Sequence, residues 1–154
     1  MSGSNLSWPT ILSYPCDSRI LISMNEDILT AMGTFKIKAK LWNPFDRLRE
    51  TEVELIVDSG STYTVLPRSL LEGIKVKPIR MIRLRLADSR VVEKALGEVG
   101  IAINEYVASA TPVVFGDEDV YLLGAVAMEQ LSLAPDPVKR ILVPVEALLM
   151  RFHE

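Results

Sequence analysis

Apolar and polar residues alternate along four stretches of this chain, at residues 35–41, 52–57, 79–86 and 99–103. A period of two places successive side chains on opposite faces of an extended strand, so that one face is buried and the other is hydrated. We therefore predict a β-strand at each stretch. A turn signal at residues 43–46 indicates that the first two strands form a hairpin with a moderately long loop.

Shorter apolar runs add further strands to this prediction, at residues 62–66, 91–92, 112–115, 120–123 and 141–143. Two segments have the composition of short helices: residues 68–72, which follow a proline, and residues 125–131. The Pro-Asp-Pro sequence at 135–137 predicts a break in regular structure. Many short strands with one or two short helices indicate an all-β fold, either a barrel or a sandwich.

The first part of the chain has a different character from the rest. Serine and proline punctuate residues 1–31, and only residues 20–22 make a strand-like run. We interpret residues 1–31 as an N-terminal arm and residues 32–154 as the domain. A chain of 154 residues has the usual length of one domain and buries a core without disulfides or metal ions.

Scarce residue types exclude several kinds of chemistry. The chain has one cysteine, Cys16, and one histidine, His153. Zinc fingers and histidine-rich zinc sites lack their ligands, so no metal site is expected. A Ser-His-Asp or Cys-His mechanism would depend on His153, where a base is poorly held. The 17 Lys and Arg residues nearly balance the 20 Asp and Glu residues, which argues against a nucleic-acid partner.

Targeting and membrane signals are not evident in the sequence. No stretch resembles a signal peptide, and no apolar run approaches the roughly 18 residues of a spanning helix. A single cysteine cannot form an intrachain disulfide, which favours a reducing compartment. We therefore expect a cytoplasmic protein that has no membrane partner.

The candidate chemistry lies where an apolar run ends in an acidic turn. Asp58 directly follows residues 55–57 and is followed by Ser59, Gly60 and Ser61. Burying a carboxylate at the end of a strand is costly unless hydrogen bonds stabilise it. The hydroxyl and backbone N–H groups of this turn are suitable donors. Taken alone, however, such a tetrapeptide is more often an ordinary turn between two strands.

With its flanking residues, this segment resembles the first signature of the aspartic proteases, specifically the single-lobe, retropepsin-like branch. That signature is an apolar strand, then Asp-Thr/Ser-Gly-Ala/Ser, then another strand. Residues 55–61 match the strand and the tetrapeptide, and residues 62–67 match the strand that follows.

The second signature of the family and its flap have counterparts further along the chain. Two apolar residues and a glycine before a short helix match Leu122, Leu123 and Gly124. A hairpin flap between the two signatures matches residues 86–91 in position. Order and spacing agree over residues 33–145. The small, cysteine-poor chain looks most like the prokaryotic members.

The resemblance implies a small closed β-barrel and an aspartic endopeptidase that acts on peptide or protein substrates. Two Asp carboxylates would share one proton, one acting as general base on a water molecule while the other donates to the scissile carbonyl oxygen. No cofactor or metal is needed. Only one Asp-Ser/Thr-Gly sequence occurs in the chain, so the resemblance implies a homodimer in which each subunit supplies one Asp58.

The resemblance also assigns roles to individual residues. Asp58 is the expected catalytic carboxylate, and Ser59 is expected to hydrogen-bond across the dimer axis. Gly60 would let the backbone approach the carboxylates closely, and Ser61 would support the Asp58 carboxylate. The flap would supply substrate-binding residues, which are Ala87, Asp88, Ser89 and Arg90.

Two departures from the retroviral pattern leave an alternative open. The flap tip is Asp-Ser-Arg at 88–90 where the retroviral enzymes are glycine-rich, and Ala125 stands where they have an arginine. The alternative is a peptide-binding or interaction module on the same barrel with little or no proteolytic activity. The intact Asp-Ser-Gly-Ser favours the enzyme. The arginines at residues 80–85 are read as a hydrated strand face, or else as an attraction for acidic substrates.

Overall fold

The computed structural model describes residues 34–150. The predicted arm at 1–31, with Cys16, and also His153 lie outside the described residues. The strands are β1 (Lys36–Asn43), β2 (Asp46–Val57), β3 (Thr64–Pro67), β4 (Arg80–Arg85), β5 (Val91–Ile103), β6 (Tyr106–Gly116), β7 (Leu122–Leu123), β8 (Leu133–Asp136) and β9 (Ile141–Pro144). The helices are α1 (Arg68–Gly73) and α2 (Ala125–Leu131).

The main sheet closes on itself. Its seven strands follow the order β1-β2-β7-β3-β6-β5-β4, and β1 also pairs with β5 through residues 40–42 and 100–102. Six strands therefore form a closed ring, and β4 is attached outside the ring by its pairing with the first half of β5. The all-β fold with two short helices that the sequence predicts is confirmed.

The inner faces of these strands enclose one apolar core. Alternate residues of β2, β5 and β6 point into it, including Leu55, Val57, Val99, Ile101 and Val113. Helix α2 covers the core with its own buried residues, Ala127, Met128 and Leu131. Period-two burial on the strands is the pattern that the sequence predicts.

Strand lengths and turns differ from the prediction at two hairpins. β1 and β2 are joined by a two-residue turn at 44–45, not by a moderately long loop. β6 begins at Tyr106, well before the predicted segment at 112–115. Its early residues 108–110 are weak strand formers, and it is their pairing with β5 that keeps them extended.

The predicted break at 135–137 begins later than expected, at the turn over residues 137–140 that follows β8. Pro135 lies within β8 and pairs with Leu142 of β9 in a separate two-stranded sheet. Proline is tolerated on an edge strand, where the missing N–H leaves no ladder bond unmade. Residues 145–150, which follow β9, have no regular structure.

Candidate active site

Asp58 lies at the end of β2, where three backbone segments meet. The last residues of β2 run parallel to β7, with Val57 beside Leu123. The Asp58 N–H donates to the Leu123 carbonyl oxygen at 3.0 Å, and the Val57 N–H donates to the Phe35 carbonyl oxygen at 2.9 Å. The two signature segments, which are more than 60 residues apart in sequence, are therefore bonded to each other at the carboxylate.

The Asp58 side chain is buried, with 8% of its surface exposed. The Gly60 N–H donates to Asp58 Oδ1 at 3.0 Å. Burial raises the pKa of the Asp58 carboxyl above its ordinary value, and the bond from Gly60 acts in the opposite direction. A carboxyl group in this state holds its proton at a higher pH than an exposed one does, as a general acid requires.

The loop after Asp58 is fixed by the first turn of α2. The Ala125 N–H donates to the Ser61 carbonyl oxygen at 2.7 Å, and the Val126 N–H donates to the Thr62 carbonyl oxygen at 3.0 Å. The first N–H groups of a helix have no partner inside the helix. Here the acidic loop satisfies two of them, so α2 and the loop hold each other in place.

Gly124 lies where α2 and the segment after the acidic loop come closest. A Cβ atom at Gly124 would lie 2.4 Å from the Tyr63 carbonyl carbon and 2.8 Å from the Thr64 backbone nitrogen. Its N–H donates to the buried Thr64 hydroxyl oxygen at 3.1 Å. Leu122 and Leu123 before it are almost fully buried. The close approach to the Tyr63–Thr64 backbone requires a glycine at 124, and the burial of the two preceding positions requires apolar residues.

The two serines of the acidic turn are half-buried beside Asp58. The Ser61 hydroxyl donates to the Tyr63 carbonyl oxygen at 2.9 Å, rather than to the Asp58 carboxylate as we expected. The Ser61 N–H donates to the Asp58 carbonyl oxygen at 3.1 Å. Ser61 therefore stabilises the loop backbone within the single chain.

Sequence reasoning missed the part that Thr64 plays in this site. Its side chain is fully buried and accepts the Gly124 N–H. The sequence places Thr64 in a strand, where threonine is common, so its type alone carries no signal. A hydroxyl residue at the inward-facing position of an otherwise apolar strand is the feature that indicates a buried hydrogen bond.

The predicted flap is a hairpin between β4 and β5. Its tip is closed by bonds from the Leu86 N–H to the Arg90 carbonyl oxygen (2.8 Å) and from the Ser89 N–H to the Leu86 carbonyl oxygen (2.9 Å). Ser89 has a left-handed backbone with φ 74°. Arg90 donates to Asp88 through its backbone N–H at 3.0 Å and its Nε at 2.6 Å. These bonds hold the pKa of the Asp88 carboxyl below its ordinary value, the backbone bond most strongly.

A cavity of about 370 Å³ lies elsewhere on the chain, and its lining is Lys36, Glu52, Val53, Glu54, Ile56, Leu70 and Tyr121. Asp58 and the flap do not contribute to this lining. We therefore do not assign the cavity to the acidic site.

The acidic side chains and the helices of the described residues bear on metal binding and on membrane insertion. Within residues 34–150, no cluster of three or more His, Cys, Asp or Glu side chains is arranged to hold a metal ion. No helix in this range has the length and apolar character needed to cross a bilayer.

A family model described as aspartyl protease matches residues 47–132, which is more than half of the chain. That range includes the acidic loop, the flap and the Leu-Leu-Gly segment. No curated protein is significantly similar in sequence.

Two solved structures are similar to this chain. The EIAV protease bound to an inhibitor has 17% sequence identity and a TM-score of 0.47, over 63% of this chain and 86% of the other. A retropepsin-like aspartic protease from Rickettsia conorii has 20% identity and a TM-score of 0.44, over 68% of this chain and 73% of the other.

Proposed function

Because the chain belongs to the aspartyl protease family, we propose that it is an endopeptidase in which Asp58 is the catalytic carboxylate. The observation that carries this proposal is the state of Asp58. Its side chain is buried at a strand end, accepts the Gly60 N–H and has a raised pKa. Its loop is bonded to the second family signature through Leu123 and α2. A rigidly held carboxyl group with a raised pKa is suited to acid–base catalysis.

The proposed active form is a homodimer. The chain contains one Asp-Ser-Gly sequence, and the mechanism needs two carboxylates that face each other. Two such groups in contact cannot both ionise, so they share a proton. A two-fold axis beside Asp58 supplies the second carboxylate from an identical chain.

The C-terminal segment offers apolar surface for such an assembly. The Val145 N–H donates to the Ser132 carbonyl oxygen at 2.9 Å, which ties the start of the segment to the body. Beyond it, Leu148, Leu149 and Met150 are 82%, 70% and 81% exposed. Three consecutive exposed apolar side chains favour contact with another protein surface, and we assign a second copy of this chain to that surface.

Hydrolysis then follows from the shared proton. The ionised carboxylate takes a proton from a bound water molecule, which attacks the scissile carbonyl carbon. The protonated carboxyl donates to the carbonyl oxygen, and the resulting tetrahedral species collapses with protonation of the leaving amine. No covalent intermediate with the protein forms.

The other residues of the site have supporting roles in this proposal. Ser59 hydrogen-bonds across the dimer axis, and Gly60 stabilises the ionised carboxylate through its N–H. The flap residues Ala87, Asp88, Ser89 and Arg90 contact the peptide backbone of the substrate. We assign these functions to residues 32–154 and treat residues 1–31 as an arm. The single cysteine favours a reducing compartment such as the cytoplasm.

A cleavage assay with a mixed peptide library tests the proposal. The wild-type chain should cleave peptides, a statine-type inhibitor should block cleavage, and Asp58→Asn and Asp58→Ala should abolish it while circular dichroism stays unchanged. Asp119→Asn is the matched control, because Asp119 is exposed with φ 70°, a conformation that asparagine tolerates well. Peptide binding without cleavage by the wild-type chain would favour the peptide-binding module instead.

A further inference from the structure

The two faces of the flap hairpin differ in how they relate to the core. On β5, Ala95, Val99 and Ile101 point into the core. Ala95 lies directly opposite Met81 on β4, and directly opposed residues of an antiparallel pair share a face. Because side chains alternate along a strand, Arg83 lies on this same face as Met81.

The hairpin face that continues from the core, with Ala95 and Met81 on it, carries two arginines towards the tip. Arg83 lies opposite Glu93, and Arg85 lies opposite the uncharged Val91. The side chains of Arg83 and Arg85 are exposed. The Arg85 Nη1 donates to the Ser89 carbonyl oxygen at 3.0 Å, so its position is tied to the turn. Among residues 34–150, no carboxylate lies within ion-pair distance of either guanidinium.

The opposite face of the hairpin is the less exposed of the two. Ile82, Leu84 and Val92 on that face are half-buried. Lys94, on the same face, forms an ion pair with Asp117 at 3.5 Å. Because this face is partly buried, the face of Arg83 and Arg85 is the more accessible of the two to a ligand.

We propose that Arg83 and Arg85 select peptide substrates with acidic side chains near the scissile bond. The inference rests on the proposed function, in which the flap contacts the peptide backbone of the substrate. A hairpin that extends from the closed sheet presents the continuation of its inner face to whatever lies beneath it. An acidic side chain there would meet two guanidinium groups, which bind carboxylates in bidentate geometry.

The solvent exposure of Arg83 and Arg85 limits how strongly they can favour an acidic side chain. Ion pairs between exposed groups are modest, so we expect roughly a five-fold preference for Glu over Gln at one position. Two neighbouring guanidinium groups of the same charge strengthen this preference. Added salt weakens it, because the Debye length shortens from about 10 Å at 0.1 M to about 3 Å at 1 M.

Paired peptides that differ only by Glu or Gln beside the cleaved bond test the inference. We expect the Glu/Gln ratio of kcat/KM to be about five or more at low salt for the wild-type chain and close to one for Arg83→Gln/Arg85→Gln. Arg80→Gln is the matched control, because Arg80 is an exposed arginine on the same strand but on the opposite face. Its ratio should equal that of the wild type.

Binding of reduced-amide, non-cleavable versions of the same two peptides separates this inference from the proposed function. A preference for Glu in binding that depends on Arg83 and Arg85 supports the inference even if no peptide is cleaved. Equal affinity for Glu and Gln peptides, no binding of either, or an equal loss of the preference in Arg80→Gln would overturn it. Cleavage of both peptides at equal rates would overturn the inference and leave the proposed function standing.

Discussion

The backbone N–H of Gly124 donates to the buried hydroxyl of Thr64 at 3.1 Å, although the two residues are 60 positions apart. This bond lies between the segment that follows the acidic loop and the segment that begins α2. Since α2 also binds the loop through Ala125 and Val126, the Thr64–Gly124 contact fixes the frame in which Asp58 is held.

Removal of the Thr64 hydroxyl should weaken this frame. Thr64→Val keeps the shape but leaves the Gly124 N–H buried without a partner, which typically costs about 1–3 kcal/mol. Thr64→Ser keeps the acceptor and is the control. In urea unfolding, the free energy of unfolding should be clearly lower for Thr64→Val and only slightly lower for Thr64→Ser. Equal destabilisation by both substitutions would mean that packing of the methyl group, not the bond, is what matters.

A methyl group at Gly124 should be far more damaging. Gly124→Ala would place a carbon 2.4–2.8 Å from backbone atoms of Tyr63 and Thr64, which cannot rotate away as a side chain does. We expect the free energy of unfolding to fall by at least about 3 kcal/mol, which is at the upper end for overpacking. We also expect the loss of peptide cleavage. Gly73→Ala is the control, because nothing lies within 4 Å of its added carbon. A Gly124→Ala protein with wild-type melting temperature would contradict the close approach.

The raised pKa of Asp58 makes a prediction about stability and pH. The folded protein binds this proton more tightly than the unfolded chain, whose carboxyl has the ordinary value of 3.8. Stability is therefore lost as pH rises from that value through the folded pKa, at about 1.4 kcal/mol for each unit of difference. Asn in place of Asp58 cannot ionise and can still accept the Gly60 N–H.

Asp58→Asn should thus melt at a higher temperature than the wild type near neutral pH, and the difference should shrink as the pH falls towards 4. Differential scanning calorimetry across this range measures the difference in melting temperature. If the difference in melting temperature instead grew as the pH fell, the pKa of Asp58 would be lowered in the folded protein, contrary to the effect of burial.

The rate of peptide cleavage should also depend on pH, because the mechanism needs a protonated carboxyl group. One carboxyl of the proposed pair must stay protonated, so kcat/KM should be highest in acid and fall as the pH passes the upper pKa of the pair. Initial rates on one peptide between pH 3 and 9 provide the test. A rate that still rises in alkaline buffer would rule out the shared proton.

The exposed C-terminal segment should control assembly. Leu148→Asp/Leu149→Asp introduces two charges into the surface assigned to the second copy, so the mass in light scattering should fall from twice 17.1 kDa to 17.1 kDa and cleavage should be lost. Leu48→Asp is the control, because Leu48 is 92% exposed on the β1–β2 hairpin. A double variant that remains a full dimer would place the interface elsewhere.

Several features of the fold were predictable from local pattern. Alternation at 35–41 and 52–57 gives two strands with one buried face, and the helix at 125–131 follows from its apolar spacing. Pro135 shows where local rules fail: proline usually interrupts a strand, yet here it pairs with Leu142 on an edge where its missing N–H is not needed. Whether a strand has a partner on both sides is a property of the sheet, not of its sequence.

The candidate active site also has features that the sequence predicts and features that only the structure shows. The sequence by itself indicated the acidic turn, because a carboxylate directly after an apolar strand is visible along the chain, and the family resemblance indicated the Leu-Leu-Gly segment. Only the tertiary structure decided that Asp58 is buried, that the Ser61 hydroxyl turns to the Tyr63 carbonyl, and that Thr64 bonds to Gly124. Burial and hydrogen-bond partners depend on which distant segments meet, and closure of the sheet brings those segments together.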